Sequence, residues 1–445
     1  MKRGSLCRAV ALLLSCLLCV SSVFVLSSCF RFSWGEDDDG VASEPYIVDV
    51  YTDAAGNVRI KYSDGRETSV GSVSQNDYTV TVEGDLGDVS AASAKGLLSS
   101  VTITASFTQT VNGGYGGFFP GMGGGSYKNT YSSKGSGVIY SLDSEQGDAF
   151  IVTNYHVVYD ASSDSGVSED IRIFLYGAEY ESQAISATYV GGSLFYDIAV
   201  LRVEDCARLR GSVYSAVNVS ESEVFVGQNA IAVGNPEGMG ISTSYGIVSV
   251  ASEYISMTAA DNSGTVTFRV IRVDTAVNSG NSGGGLFNDK GELIGIVNAK
   301  VVDDGVENIG YAIPAAVAAA VTDNIIDNCY GKDNTSVLRA ILGVSLGITD
   351  SYADVDAETG MPVIVERVKI SAVDTGGLAA GNLLAGDVLV SATVGERSVA
   401  ITRQYHVIDL MLYARVGDIV SLTVLRDGIT VTVDIPVTEN GIVRY

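Results

Sequence analysis

The sequence predicts a mostly β protein with two larger domains. Three observations carry this. From about Leu97 to Lys300 the chain is a series of short apolar runs of strand length, among them "SSVTITASF", "GSGVIYSL", "AFIVTNYHVV", "DIAVLRV", "NAIAVGNP" and "ELIGIVNAK", broken by Gly, Asp and Asn. Helical periodicity is scarce throughout. Hydrophobic residues make up 46% of the 445 and charged residues 18%, enough apolar material for sizeable cores. Many short strands with turn signals and few helices point to a barrel or a sandwich.

The elements follow in chain order. Lys2, Arg3 and Arg8 precede an apolar run at 9–26 that ends in "LSSC" at 26–29. A basic start, an apolar core and small residues before a cut describe a secretory signal over 1–28. The small-small-Cys ending resembles the lipobox of bacterial lipoproteins, which implies lipidation of Cys29. The alternative is an uncleaved membrane anchor, because the run approaches spanning length. Either way the remainder is exported, to the outer face of the cytoplasmic membrane or the cell envelope. Residues 29–45 are acidic and read as a solvated tether. At 46–71 two alternating strands flank Ala-Gly-Asn, the signature of a hairpin, and 46–90 is taken as a small β-hairpin module of unknown role. The main β domain spans 97–330. Eight of the fourteen residues at 112–125 are glycine, with Phe118 and Phe119 between them, so a long loop is expected there. "IPAAVAAAVTDNIIDN" at 313–328 predicts a closing helix with Pro314 near its start. A linker at 331–335 leads to a second domain at 337–440. There Val407, Leu410, Met411 and Ala414 recur at helical spacing within 404–416.

The formal charge of −25 excludes nucleic acid as a partner and disfavours purely electrostatic binding to anionic lipid. Four of the six cysteines lie within 7–29. Only Cys206 and Cys329 remain, which is neither a disulfide scaffold nor a metal-ligand spacing. No metal and no cofactor is expected.

The chain has two histidines. General-base chemistry near neutral pH most often uses this side chain. His406 sits in the helical stretch "RQYHVIDL" and reads as an ordinary helix residue. His156 ends the strand run "IVTNYHVV". Asp197 opens the apolar run "DIAVLRV", where a charged acid must be buried and hydrogen-bonded. That suits the member of a triad that orients a histidine. Ser282 lies in "GNSGGGL". A serine hydroxyl attacks only when a base takes its proton, and it needs two donors converging on the developing oxyanion. Glycine supplies the dihedrals for such a turn. The oxyanion hole is therefore placed at Gly280, Asn281 and Ser282, with the N–H groups of Gly280 and Ser282 as donors.

The chain order His156, Asp197, Ser282 resembles the chymotrypsin-like double-barrel proteases, and more closely the HtrA (DegP/DegS-like) family with its C-terminal PDZ domain. "TNYHVV", "YDIAVLRV", "IAVGNPEGMGISTSYGIVSV", "VNSGNSGGGLFNDKGELIGI" and "NIGYAIP" carry the resemblance, over roughly 97–437. It implies two six-stranded barrels followed by an α+β PDZ domain, and a serine endopeptidase acting on unfolded or mislocalised proteins. It also implies a specificity pocket based on Ala276, walled by Asn298, Ala299 and Lys300 and narrowed by Ile309. With no acid at its base, such a pocket takes small aliphatic side chains. Leu342, Gly343 and Val344 would hold a peptide's C-terminal carboxylate. The 112–125 segment corresponds to the family's regulatory loop, and trimers to its base state. The family pattern usually has Pro where Gly285 stands, a change expected to loosen the turn. An alternative function is a PDZ-led peptide-binding or chaperone protein with little proteolytic activity, against which the intact His156, Asp197 and Ser282 argue. A serine esterase needs the order Ser, Asp, His, the reverse of this one.

Overall fold

The structure is a computed structural model that describes residues 47–52, 57–62, 65–72, 88–112, 126–298, 309–356 and 360–444. Cys29 and its signal, the tether, the glycine-rich segment 113–125, Ala299 and Lys300 lie outside the described residues. No described helix is long and apolar enough to cross a membrane. The chain divides into two units. Chiefly in the smaller lie β1 (Ile47–Thr52), β2 (Asn57–Tyr62) and β3 (Glu67–Ser72), a three-stranded sheet in the region read as a small β-hairpin module.

The next described element is α1 (Asp88–Leu98), in the larger unit, which the sequence did not signal. The helix straddles the expected boundary between a module ending at 90 and a domain starting at 97. "DVSAASAKGLL" is rich in small residues and shows little apolar periodicity. It packs through Ala92 and Gly96, four residues apart on one face, with Gly96 against Val233 and Phe287.

Six strands then close a first barrel: β4 (Ser100–Asn112), β5 (Ser126–Asp143), β6 (Asp148–Thr153), β7 (Asp170–Leu175), β8 (Ile185–Ser193) and β9 (Ile198–Val203). The ring runs β4-β5-β6-β9-β8-β7, and pairing of Val101 with Leu175 closes it. Along β4 the alternate residues Val101, Ile103, Ala105 and Phe107 are all buried, the period of two that fills a barrel. A one-turn helix, α2 (Tyr155–Val158), follows β6.

The second barrel uses β11 (Asn229–Gly234), β12 (Ser242–Thr258), β13 (Thr265–Val273), β14 (Gly285–Phe287), β15 (Glu292–Val297) and β16 (Gly310–Pro314), closed by pairing of β15 with β16. The short β10 (Asn218–Val219) adds in parallel to β15. Helix α3 (Ala315–Cys329) packs on β8 and β9 of one barrel and β15 of the other, so it ties the two together. It starts two residues later than expected because Ile313 and Pro314 still pair in β16.

The C-terminal domain is α+β, as expected. Its sheet runs β18 (Val344–Val355), β19 (Pro362–Val373), β20 (Val388–Val394), β22 (Ile419–Arg426), β23 (Ile429–Pro436), with β21 (Arg397–Ala400) on β20. β17 (Leu338–Ala340) pairs with β24 (Ile442–Arg444). Helix α4 (Gln404–Leu410) covers the core. Val407, Leu410, Met411 and Ala414 are all buried there. The regular helix ends at Leu410, short of the expected 416. Beyond it Leu412 and Tyr413 donate to carbonyls three residues back, and Asp418 receives the Arg415 N–H.

Candidate active site

His156 and Ser282 come from different barrels. Tyr155, Val157 and Val158 anchor α2 in the first barrel and turn His156 outward. Asp197 sits in the tight turn between β8 and β9 with φ of 51°, a left-handed conformation that Asp tolerates better than most residues. Its carbonyl accepts from Asn154 Nδ2 at 2.9 Å and from the Tyr155 N–H at 3.1 Å, which locks the turn to α2. Its carboxylate is almost fully buried and accepts three hydrogen bonds. They come from the His156 N–H at 3.0 Å, His156 Nδ1 at 2.6 Å and Asn298 Nδ2 at 2.9 Å. A buried carboxylate acceptor requires the proton on Nδ1, which leaves Nε2 free to accept one on the cleft side.

Ser282 sits on the turn between β13 and β14. The Asn281 N–H donates to the Asn278 carbonyl at 3.0 Å, and Gly280 at the third position of that turn has φ of 96°. Glycine is needed there, as in a type II turn. The Gly284 N–H donates to the Asn281 carbonyl at 2.9 Å. Among the described residues neither the Gly280 nor the Ser282 N–H meets a partner, so both remain available as donors. Asn281 does not: its N–H is committed to Asn278, which removes it from the expected oxyanion set. Ser282 and His156 line one cleft of about 380 Å³ together with Tyr159, Asp160, Ala161, Ala260, Asn262 and Ser279. No hydrogen bond joins Ser282 Oγ to the ring in this resting geometry, a contact that commonly tightens only with substrate in place.

Other expectations change. Gly285 does not loosen the turn. It is buried in β14, paired with Val233 and Ile296, and a Cβ there would lie 2.4 Å from the Phe287 ring. Its small size makes room for Phe287, whose ring also rests on Gly96 of α1. Asn298 is fully buried and bonded to Asp197, so its side chain does not wall a specificity pocket. Ala276 is exposed, with its carbonyl accepting from Ser244 Oγ, and Ile309 is half-buried; neither lines the cleft. In the C-terminal domain the Leu342 side chain belongs to the core, and the Leu342 and Gly343 carbonyls accept from Ala379 and Asp374. Gly343 has φ of 73°, and Val344 starts the edge strand β18. No cluster of metal-ligating side chains occurs among the described residues.

Residues 135–296 match the family of trypsin-like peptidase domains. Serine protease Do-like HtrA of Lactococcus lactis subsp. cremoris is 31% identical over 404 residues, 85% of this chain and 87% of that protein. Serine protease Do-like HtrA of Bacillus subtilis is 30% identical over 312 residues, 68% of this chain and 63% of that one. The periplasmic serine endoprotease DegP of Escherichia coli is 31% identical over 332 residues, 74% and 61% of the two chains. Among solved structures, an HtrA-type protease AlgW with a decapeptide superposes with a TM-score of 0.48 at 24% identity, covering 79% of this chain and 98% of that one.

Proposed function

The chain belongs to the HtrA family of serine proteases, and on that premise we propose that His156, Asp197 and Ser282 form its catalytic triad. The observation that carries this is the carboxylate of Asp197, which holds both the backbone and the ring of His156 and turns the free nitrogen into the cleft of Ser282. His156 Nε2 takes the Ser282 proton as Oγ attacks the scissile carbonyl. The Gly280 and Ser282 N–H groups face the oxyanion of the tetrahedral intermediate. The imidazolium, stabilised by Asp197, then protonates the leaving amine. Water repeats the sequence on the acyl-enzyme and frees Ser282.

The substrates in this reading are unfolded or mislocalised exported polypeptides. The protein is held at the membrane by a lipid on Cys29. The C-terminal domain acts as a PDZ domain, in which the glycine turn at Gly343 and the edge strand β18 suit capture of an extended peptide end. The working form is a trimer. Casein degradation tests the core of the proposal. Ser282→Ala should lose several orders of magnitude in rate. Equal degradation by the variant and the natural chain would end it.

A further inference from the structure

One fully buried serine of the first barrel, outside the triad itself, makes four hydrogen bonds around the nucleophile. Ser136 lies on β5, where the flanking Gly135 and Gly137 allow close approach. A Cβ at Gly135 would meet Val157 at 2.6 Å and the Ser282 carbonyl at 3.2 Å. The Ser136 N–H donates to the Ser282 carbonyl at 2.8 Å. Its Oγ donates to the Gly280 carbonyl at 2.7 Å and accepts from the Asn235 N–H at 2.8 Å. Its own carbonyl accepts from Thr153 Oγ1 at 2.7 Å, on the strand that leads into α2 and His156. Asn235 is fixed in turn by Thr102 on β4 and by the Gly240 N–H. Every donor and acceptor of Ser136 is thus committed, and two of the four bonds end on the backbone on either side of Asn281.

The consequence follows from peptide geometry. A peptide unit is planar, with its C=O and N–H opposed. The unit between Gly280 and Asn281 is pinned at both ends, its C=O by Ser136 Oγ and its N–H by Asn278. The unit between Asn281 and Ser282 is held through its C=O by Gly284, and the one after Ser282 by the Ser136 N–H. Gly280 is the soft joint in this arrangement, because glycine reaches many dihedrals at little cost. Without the hydroxyl the Gly280 carbonyl would be buried without a partner, and the glycine would rotate to relieve it. That rotation changes the angle at Gly280 between this unit and the Ser279–Gly280 unit, which carries the Gly280 N–H, and so swings the donor off the oxyanion.

We propose that Ser136 is a positioning residue that aims the oxyanion donors of Gly280 and Ser282 by clamping the Gly280 carbonyl from the opposite barrel. This rests on Ser282 being the nucleophile. The test compares Ser136→Ala, Ser136→Cys and Ser282→Ala on a quenched fluorescent peptide with Val at the scissile position. A peptide boronic acid ending in boro-valine, whose tetrahedral adduct needs the oxyanion donors, serves as the second probe. Ser136→Ala should lower kcat about 10²-fold, the usual consequence of misplacing a catalytic group by an ångström, with KM within about twofold. Boronic acid affinity should fall by the same factor as kcat. Ser136→Cys, nearly isosteric with a weaker donor, should fall between, and it decides the matter if the alanine variant does not fold. A fall in thermal stability with kcat and boronic acid affinity unchanged would make Ser136 merely structural and overturn the proposal. So would a loss confined to KM. If Ser282→Ala stays active the triad assignment fails and takes the clamp with it; if only Ser136 proves dispensable, the clamp fails alone.

Discussion

The molecule contains two histidine–carboxylate pairs at the same separation, at two different seams. Between the barrels, His156 Nδ1 lies 2.6 Å from Asp197. Between the second barrel and the C-terminal domain, His406 Nε2 lies 2.6 Å from Glu223, and Arg269 pairs with Asp409 beside it. The surroundings differ. Asp197 is 4% exposed and receives three hydrogen bonds, whereas the Glu223 side chain is 64% exposed. The approach to Glu223 is also off the ring's N–H axis, an ion-pair contact rather than an aligned hydrogen bond. On the far side of the His156 ring is an open cleft with Ser282. On the far side of the His406 ring, Nδ1 meets the Ala400 carbonyl at 2.9 Å. A histidine with both nitrogens engaged holds domains together; one with a free nitrogen facing a hydroxyl can move a proton. His406 is therefore more than the ordinary helix residue the sequence suggested, and it is not a second catalytic group.

The largest effect separates these two rings. His156→Ala should lower kcat/KM on a small peptide by about 10⁴- to 10⁶-fold, as expected when one member of a catalytic unit is lost. His406→Ala should leave the same constant within about tenfold, because it touches no reacting atom. Comparable losses in both variants would erase the distinction. Next comes the depth of the support behind His156. Asp197→Asn should cost about 10⁴ in kcat through the wrong tautomer. Asn298→Ala removes one hydrogen bond to the buried carboxylate, worth about 1.5–3 kcal/mol, so kcat should fall about tenfold or more. If Asn298→Ala changed only KM, its place would be in substrate binding, as the sequence reading had it.

These residues also mark what was legible in the sequence. Strand runs with period-two burial, such as Val101, Ile103 and Ala105, were readable because each alternates in isolation. His156, Asp197 and Ser282 were readable because few residues can do their chemistry and because their order is distinctive. Asn298 and Ser136 were not, since an amide just past a strand or a hydroxyl within one signals nothing until the barrels bring it to a partner over 100 residues away. α1 escaped because its packing relies on small residues. Gly285 was misread for the same reason: the sequence shows a glycine beside other glycines, and only the fold shows Phe287 lying on it.

That last point predicts a smaller effect on stability. Gly285→Ala forces a methyl group into the Phe287 ring, and overpacking of this kind costs about 1–3 kcal/mol. Phe287→Leu frees the space. The double variant Gly285→Ala/Phe287→Leu should then be less destabilised in urea unfolding than the sum of the single variants. Additive losses would show that Gly285 is there for freedom of the turn after all, rather than for room.

The smallest effect probes the outer pair. Partial desolvation pushes the Glu223 carboxyl up, but the close contact and the positive charge of His406 outweigh it and hold the group below its ordinary value of 4.5. A carboxyl lowered by folding adds stability that is fully present above its unfolded value and is lost as the pH falls through the folded value. Glutamine at 223 cannot titrate. The stability gap between the natural chain and Glu223→Gln should thus shrink as the pH falls below 4.5. Its size should not exceed about 1 kcal/mol, because a largely exposed side chain is screened by water. Asp409 works in the opposite direction: burial raises its carboxyl against the pull of Arg269, so its own titration favours the folded state as the pH falls. Both proteins carry Asp409, so its contribution cancels in the difference and only the Glu223 slope survives. Thermal unfolding of the two proteins from pH 3 to 7 reads it directly. A gap that widened on acidification would mean that His406 does not hold Glu223 ionised, and the two histidine pairs would then differ even in the charge of their carboxylates.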